Sequence, residues 1–529
     1  MPKILPILAL FGLLSSTSAP ARESAPRVTI AQGVLAGKTE GSISAYLGIP
    51  YAAPPIGKYR WRPPLPAAAW TGVRTADHAG PACTQMISPT GFGPWTHEYV
   101  VSGQTSEDCL SLNIWKPAKA AAKAKLPVLV WIHGGAFSQG SGAVPIYDGR
   151  ALAERGIVVV TINYRLGVFG FLAHPDITAE ANGSPPGNFG LQDQIAALRW
   201  VRHNITAFGG DPDQVTIAGQ SAGSMSVHSL VASPLAKGLF ARAIAQSGLP
   251  PLAAMPDLAK AEQTGLSFAQ EKGAASLVEL RTMPAEELLR EKQPGMPRFF
   301  PIADGTLLPA PPQQMLAQGR FNDVPMIVGQ NRDEASAMTP GYGAGDQASF
   351  TALLDRSFNA QADRFAALYP AKTEEQRSAA SKEIALDKGL GSIAIWAQDR
   401  LTQGKAPVYS YLFSHVEPGP QSASFGAFHS SEIPYALDTL DASPERAFTA
   451  KDRQVSDWMS GYWINFIRTG NPNGTDRSGA KLAQWPQLTT TSPTIIEVDD
   501  KISTRALLPH EKLEAMKAFV ASGGAISMF

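Results

Sequence analysis

The pentapeptide Gly219-Gln220-Ser221-Ala222-Gly223 sets a serine between two glycines, with the apolar run VTIA before it and the helix-forming run SMSVHSL after it. A serine hydroxyl becomes a nucleophile only when a base takes its proton. A sharp strand-to-helix turn strains the residue at its apex and aims the following N–H groups, at a helix N-terminus, toward the reacting centre. Side chains beside the apex would clash, hence the flanking glycines. Bare Gly-x-Ser-x-Gly also occurs in ordinary turns; the strand–turn–helix setting separates the two cases. A second piece, His133-Gly134-Gly135-Ala136, directly follows PVLVWI. Small residues there let backbone N–H groups reach a substrate oxygen, and the candidate oxyanion donors are the amides of Gly135, Ala136 and Ala222. Losing one such donor typically costs about 3 kcal/mol in the transition state. His133 reads as a support of that loop.

An activated serine needs a base, and the base needs an orienting acid. With the serine on a turn of this kind, the chain order is serine, acid, histidine. Of the nine histidines, only His415, His429 and His510 come late enough. His415 ends the run VYSYLFS and suits a structural role; His510 stands among charged residues near the C-terminus. His429, in the Gly/Ser-flanked loop FGAFHSSEIPY, is the candidate base. The acid belongs at a strand end between the two. VPMIVG runs into Gln330-Asn331-Arg332-Asp333-Glu334, so Asp333 and Glu334 both qualify. Asp304, in IADGTLLP, reads as a turn residue.

The elements that must position these residues follow from patterning. VTIAQGVLAGKTEGSISAYLGIPYA alternates short apolar runs with turns, as hairpins do. From Leu126 onward, buried runs (LPVLVWI, GIVVVTI, VTIA, ARAIA, VPMIVG, PVYSYLF, TIIEV) alternate with helical stretches. That alternation predicts a mostly parallel sheet flanked by helices. In GNFGLQDQIAALRWVRHNITAFGG, Ile195, Leu198, Trp200, Val201 and Ile205 share a face and two glycines end the helix. Residues 252–297 and 346–404 read as helical, and KPAKAAAKAKLP as an exposed loop or short helix. With 529 residues, no repeat and no long linker, the chain reads as a single large α/β unit over residues 22–529. A helical insert shapes its active-site entrance.

Residues 1–21 read as a cleaved secretory signal: Lys3, an apolar stretch from Ile4 to Leu14, and Ala19-Pro20-Ala21 before the cut. The expected location is secreted or periplasmic, with no stable membrane insertion. Lys+Arg and Asp+Glu both number 45, which leaves no basic footprint for nucleic acid. The two cysteines, Cys83 and Cys109, are expected to pair in an exported chain. No Cys/His run has metal-ligand spacing, and no metal or cofactor is expected. Sequons stand at Asn182, Asn204 and Asn473.

Taken together, these motifs resemble the type-B carboxylesterase family of the α/β-hydrolase superfamily, which includes bacterial p-nitrobenzyl esterases. The resemblance runs from GIPYAAPPIGKYRW to WPQL and includes Glu107-Asp108-Cys109-Leu110-Ser111-Leu112-Asn113, NYRLGVFGFL, FGGDP, AIAQSG and RTGNPN. It implies a serine carboxylic-ester hydrolase with Ser221, Glu334 and His429 as triad, so Glu334 rather than Asp333 is the acid. It also implies a Cys83–Cys109 disulfide, Arg60–Glu107 and Arg165–Asp193 ion pairs, and Ser247 as a partner of the acid. Gln220 departs from the family's usual Glu, and Ala136 from its third oxyanion-loop glycine. The family's choline-binding Trp has no counterpart near Tyr99 and Val100; Trp95 comes earlier. Trp95, Phe137 and Phe300 are as consistent with core as with a site lining. The expected partner is a small-molecule ester. The same machinery also suits amide, carbamate or specialised natural-product ester hydrolysis. A non-catalytic interaction protein of this fold would lack the triad.

Overall fold

In the computed structural model, the structure describes residues 25–248, 255–291, 298–419, 421–491 and 493–526. The expected signal segment, 1–21, lies outside the described residues. Eleven strands form one sheet: β1 (Lys38–Glu40), β2 (Ile43–Pro50), β3 (Ser111–Pro117), β4 (Leu126–Ile132), β5 (Val158–Ile162), β6 (Gly210–Gln220), β7 (Arg242–Gln246), β8 (Met326–Asn331), β9 (Val408–Phe413), β10 (Thr494–Val498) and β11 (Ile502–Ala506). Their spatial order is β11-β10-β9-β8-β7-β6-β4-β5-β3-β2-β1. From β5 through β4, β6, β7, β8 and β9 to β10 the pairing is parallel. Only the margins are antiparallel: β3 on β5, β2 on β3, β1 on β2, and β11 on β10.

The apolar runs are continuous because both sheet faces are covered. Along β4, Val128, Val130 and Ile132 enter one core while Leu129 and Trp131 enter the other. Helices α2 (Phe189–Asn204), α3 (Ala222–Ala232) and α5 (Glu374–Gln403) contribute Leu198, Val227 and Trp396 to the first. Helices α1 (Arg150–Glu154) and α6 (Ala450–Thr469) contribute Leu152 and Trp463 to the second. The hairpins predicted before residue 51 are present. The Ala/Lys-rich stretch after β3 is turn and coil, with Lys123 and Lys125 at positive φ. β11 and a helix at His510–Ala521 were not anticipated; ISTRA is a largely polar, only partly buried edge strand, so it carries little apolar signal.

The segment 258–289 is helical as expected, and its helices make a separate small core around Phe268, Leu277 and Leu280. Its first helix, α4 (Leu258–Lys272), walls a cavity of about 410 Å³ together with Phe171, Met225, Met255 and Phe300. Cys83 and Cys109 are disulfide-bonded. Arg60 pairs with Glu107 at 2.5 and 2.7 Å, and buried Arg165 grips Asp193 with two contacts of 2.7 Å. Of the sequons, Asn204 is buried and its amide is engaged by Ala31 and Trp200, whereas Asn182 is exposed.

Candidate active site

Ser221 stands between the C-terminal end of β6 and the first turn of α3, at φ 58° and ψ −124°. A side chain pays strain in that region of φ. It is held there by Ser221 N–H donating to Gln246 O (2.9 Å) and Met225 N–H donating to Ser221 O (2.9 Å). The flanking glycines are required by close approach. A Cβ on Gly223 would meet Ile132 O at 2.0 Å, and one on Gly219 would meet Gly223 O at 2.6 Å. The helix thus starts directly against the end of β4, where the His133–Phe137 loop begins.

That loop turns through three consecutive residues of positive φ: Gly135 (105°), Ala136 (52°) and Phe137 (55°). Among the described residues, the amides of Gly135, Ala136 and Ala222 donate to no protein acceptor. His133 is buried and stacked on Tyr164, with ring centroids 4.4 Å apart. Burial pushes its pKa down to about 4, so it is a neutral support.

The structure brings Glu334 and His429 together. Glu334 Oε2 lies 2.5 Å from His429 Nδ1, and both side chains are buried. Glu334 Oε1 accepts the Asn331 N–H at 2.6 Å, which fixes the carboxylate. Asp333, its neighbour, does different work. It accepts from Tyr342 Oη (2.7 Å) and Ala427 N–H (3.0 Å), and its own N–H donates to Ala427 O, so it fastens the loop that carries His429. Asp304 accepts the N–H groups of Thr306, Leu307 and Leu308, the expected turn. His415 sits between Asp452 and Asp500, and His510 is exposed.

With Nδ1–H donating to Glu334, the lone pair of His429 lies on Nε2. The Gln220 amide nitrogen approaches that atom at 3.1 Å. Ser247 is fully buried at φ 52°, but its hydroxyl makes no hydrogen bond to Glu334. Trp95 donates its indole N–H to His429 O (3.0 Å) and its ring meets the His429 ring edge-on at 6.5 Å. Phe137 is core, packed edge-on against Phe171 and Phe300; Phe300 is exposed at the cavity.

Sequence reasoning missed a second carboxyl beside the pair. Glu432, wholly buried, accepts from Gln246 Nε2 (3.1 Å) and Asn331 Nδ2 (2.7 Å). Burial, reinforced by the charge of Glu334, raises its pKa to about 7. Its place three residues after His429 was the available signal, but nothing in the local pattern marks it as buried.

The sequence profile of the Carboxylesterase family matches residues 24–516. The fumonisin B1 esterase of Sphingopyxis macrogoltabida is 37% identical over 465 residues, which is 85% of this chain and 82% of that protein. The para-nitrobenzyl esterase of Bacillus subtilis (strain 168) is 35% identical over 520 residues, 94% of this chain and 99% of that one. A solved PNB esterase structure superposes with a TM-score of 0.75 at 34% identity, covering 93% of this chain and 100% of its own. The fold is thus that of the α/β-hydrolases, and the chain belongs to the carboxylesterase family, whose reaction is carboxylic-ester hydrolysis.

Proposed function

We propose that Ser221, His429 and Glu334 are the catalytic triad of this esterase and that the amides of Gly135, Ala136 and Ala222 form its oxyanion hole. His429 Nε2 takes the Ser221 proton as Oγ attacks the ester carbonyl, and the oxyanion develops against amides that have no protein acceptor among the described residues. The same ring then protonates the leaving alcohol. Water, deprotonated in turn by His429, releases the acid and restores Ser221. Glu334 holds the imidazole in the Nδ1–H tautomer and stabilises the imidazolium. The observation that carries this reading is the strained Ser221 at the head of α3, directly after Gln220, whose amide lies 3.1 Å from Nε2 of the buried Glu334–His429 pair.

The relatives are named for chemically different esters, so the family defines the bond cleaved rather than the substrate. We read the substrate as a small-molecule carboxylic ester with its apolar part in the cavity beside Met225 and Phe300. Residues 22–529 are proposed as one unit delivered to an extracellular or periplasmic space by the 1–21 segment, a reading that the disulfide supports.

The test is hydrolysis of p-nitrophenyl butyrate by wild type and Ser221→Ala, with reaction of each with a fluorophosphonate followed by intact mass. Wild type should turn over and gain one adduct. The variant should remain folded by circular dichroism, lose activity by roughly 10⁴-fold or more, and stay unlabelled. Labelling of folded Ser221→Ala would overturn the nucleophile assignment.

A further inference from the structure

We propose that His97, Glu98 and Glu445 form a binding site for a divalent transition-metal ion, with Zn²⁺ the best match, where the Cys83–Cys109 loop meets the segment that leads into α6. His97 Nδ1 lies 3.4 Å from Glu98 Oε2 and 3.2 Å from Glu445 Oε1, and all three donor atoms fall within 4.8 Å of one another. Tetrahedral Zn²⁺ with bonds of about 2.0–2.1 Å spaces adjacent ligand atoms by about 3.3 Å. Two edges of the triangle already have that length.

Glu98 supplies a second observation. Its side chain is wholly buried. Oε1 is fully occupied, accepting from Arg446 Nε (2.6 Å) and Thr96 Oγ1 (2.6 Å). Oε2 has no hydrogen-bond partner and faces His97. A buried carboxylate oxygen without a donor is uncommon and calls for an explanation. A cation held jointly with His97 and Glu445 provides one. His97 and Glu445 are about half exposed (58% and 51%), so an ion can enter and water can complete its shell. Arg446 lies on the other oxygen of Glu98 and is itself flanked by Glu417 at 2.9 Å. A nitrogen ligand among two carboxylates favours Zn²⁺ over Mg²⁺ or Ca²⁺.

A protonated His97 bridging the two carboxylates would account for the distances without a metal. The experiment separates the two. Full-length protein is stripped with chelator, then titrated with ZnCl₂ by calorimetry, with thermal unfolding as a second readout. Binding of one Zn²⁺ per chain, saturating at or below about 100 µM, is expected, with a rise in Tm. His97→Ala and Glu445→Ala, both at exposed positions, should each weaken binding at least ten- to hundredfold. His510→Ala should leave it unchanged, and MgCl₂ should not compete. No saturable binding, or binding that His97→Ala and Glu445→Ala do not weaken, would overturn the site and leave an ion pair. Because binding is read independently of ester hydrolysis, the result does not depend on the triad assignment.

Discussion

Gln220 is the residue at which this site differs most from its expected family pattern. Its amide donates to the very nitrogen from which the proposed base must work. A neutral donor there opposes protonation of the ring, whereas a carboxylate would favour it. Glu334, on the other side of the ring, already supplies negative charge, whereas Glu432 behind it, its pKa raised to about 7 by burial, is mostly protonated at pH 6. Gln220→Glu should therefore raise the apparent pKa of the acid limb of kcat/KM by about one unit. The sign is fixed: a more basic imidazole is protonated at higher pH, so the variant should lose activity at pH 6 relative to its own plateau. A pH–rate profile of both proteins checks this, and an unmoved limb would show that Gln220 does not act on His429.

At the scale of elements, two adjacent acids at the end of β8 divide the work. Glu334 faces the imidazole; Asp333 pins the loop 426–429 through Ala427. Glu334→Gln should lower kcat by roughly 10³–10⁴-fold. Asp333→Ala should cost roughly 10–100-fold by loosening the loop of the proposed base, with the protein still folded. Steady-state kinetics of the two variants measure the split, and equal losses would contradict the division of roles. Residue patterning could not make it, since both acids follow the same strand end and have partners at residues 427 and 429; only the family resemblance favoured Glu334 as the acid. What was legible had local causes: apolar runs for strands buried on both faces, and the elbow, whose glycines are demanded by neighbours within a few residues or by β4. Glu432, Asn331 and the His97–Glu98–Glu445 cluster were illegible because contacts across distant segments give them their meaning. β11 was missed because a partly buried edge strand needs no continuous apolar face.

For the whole molecule, buried titratable groups shape stability against pH. His133 and His228 are held neutral by burial, with pKa values lowered to about 4 and about 3. The unfolded chain binds protons on both near pH 6.5 while the native chain does not, so stability is full above that value and falls as pH drops through it. At pH 5 each histidine contributes a loss of about 2 kcal/mol. Glu432 acts in the opposite sense. Its pKa, raised to about 7, means that the native chain keeps a proton that the unfolded chain releases above about pH 4.5, so its contribution declines as pH rises from there to 7. His228→Phe, which also removes a ring nitrogen lacking a hydrogen-bond partner, should flatten the decline below pH 6.5. Chemical denaturation at pH 5 and 7 measures this, and an unchanged slope would remove His228 from the account.

The bond from Trp95 to the carbonyl of His429 joins a loop from the first fifth of the chain to one near its end. The proposed oxyanion donors and serine come from β4 and β6, and the acid from the end of β8. Chemistry therefore demands that remote stretches of chain all be docked at once, whereas each helix needs only its own neighbourhood. Catalysis is thus a stricter witness to integrity than helix content. In rising denaturant, ester hydrolysis should vanish at a concentration where the far-ultraviolet circular dichroism is still native-like. Coincident loss of the two would mean that the site is no weaker than the fold that carries it.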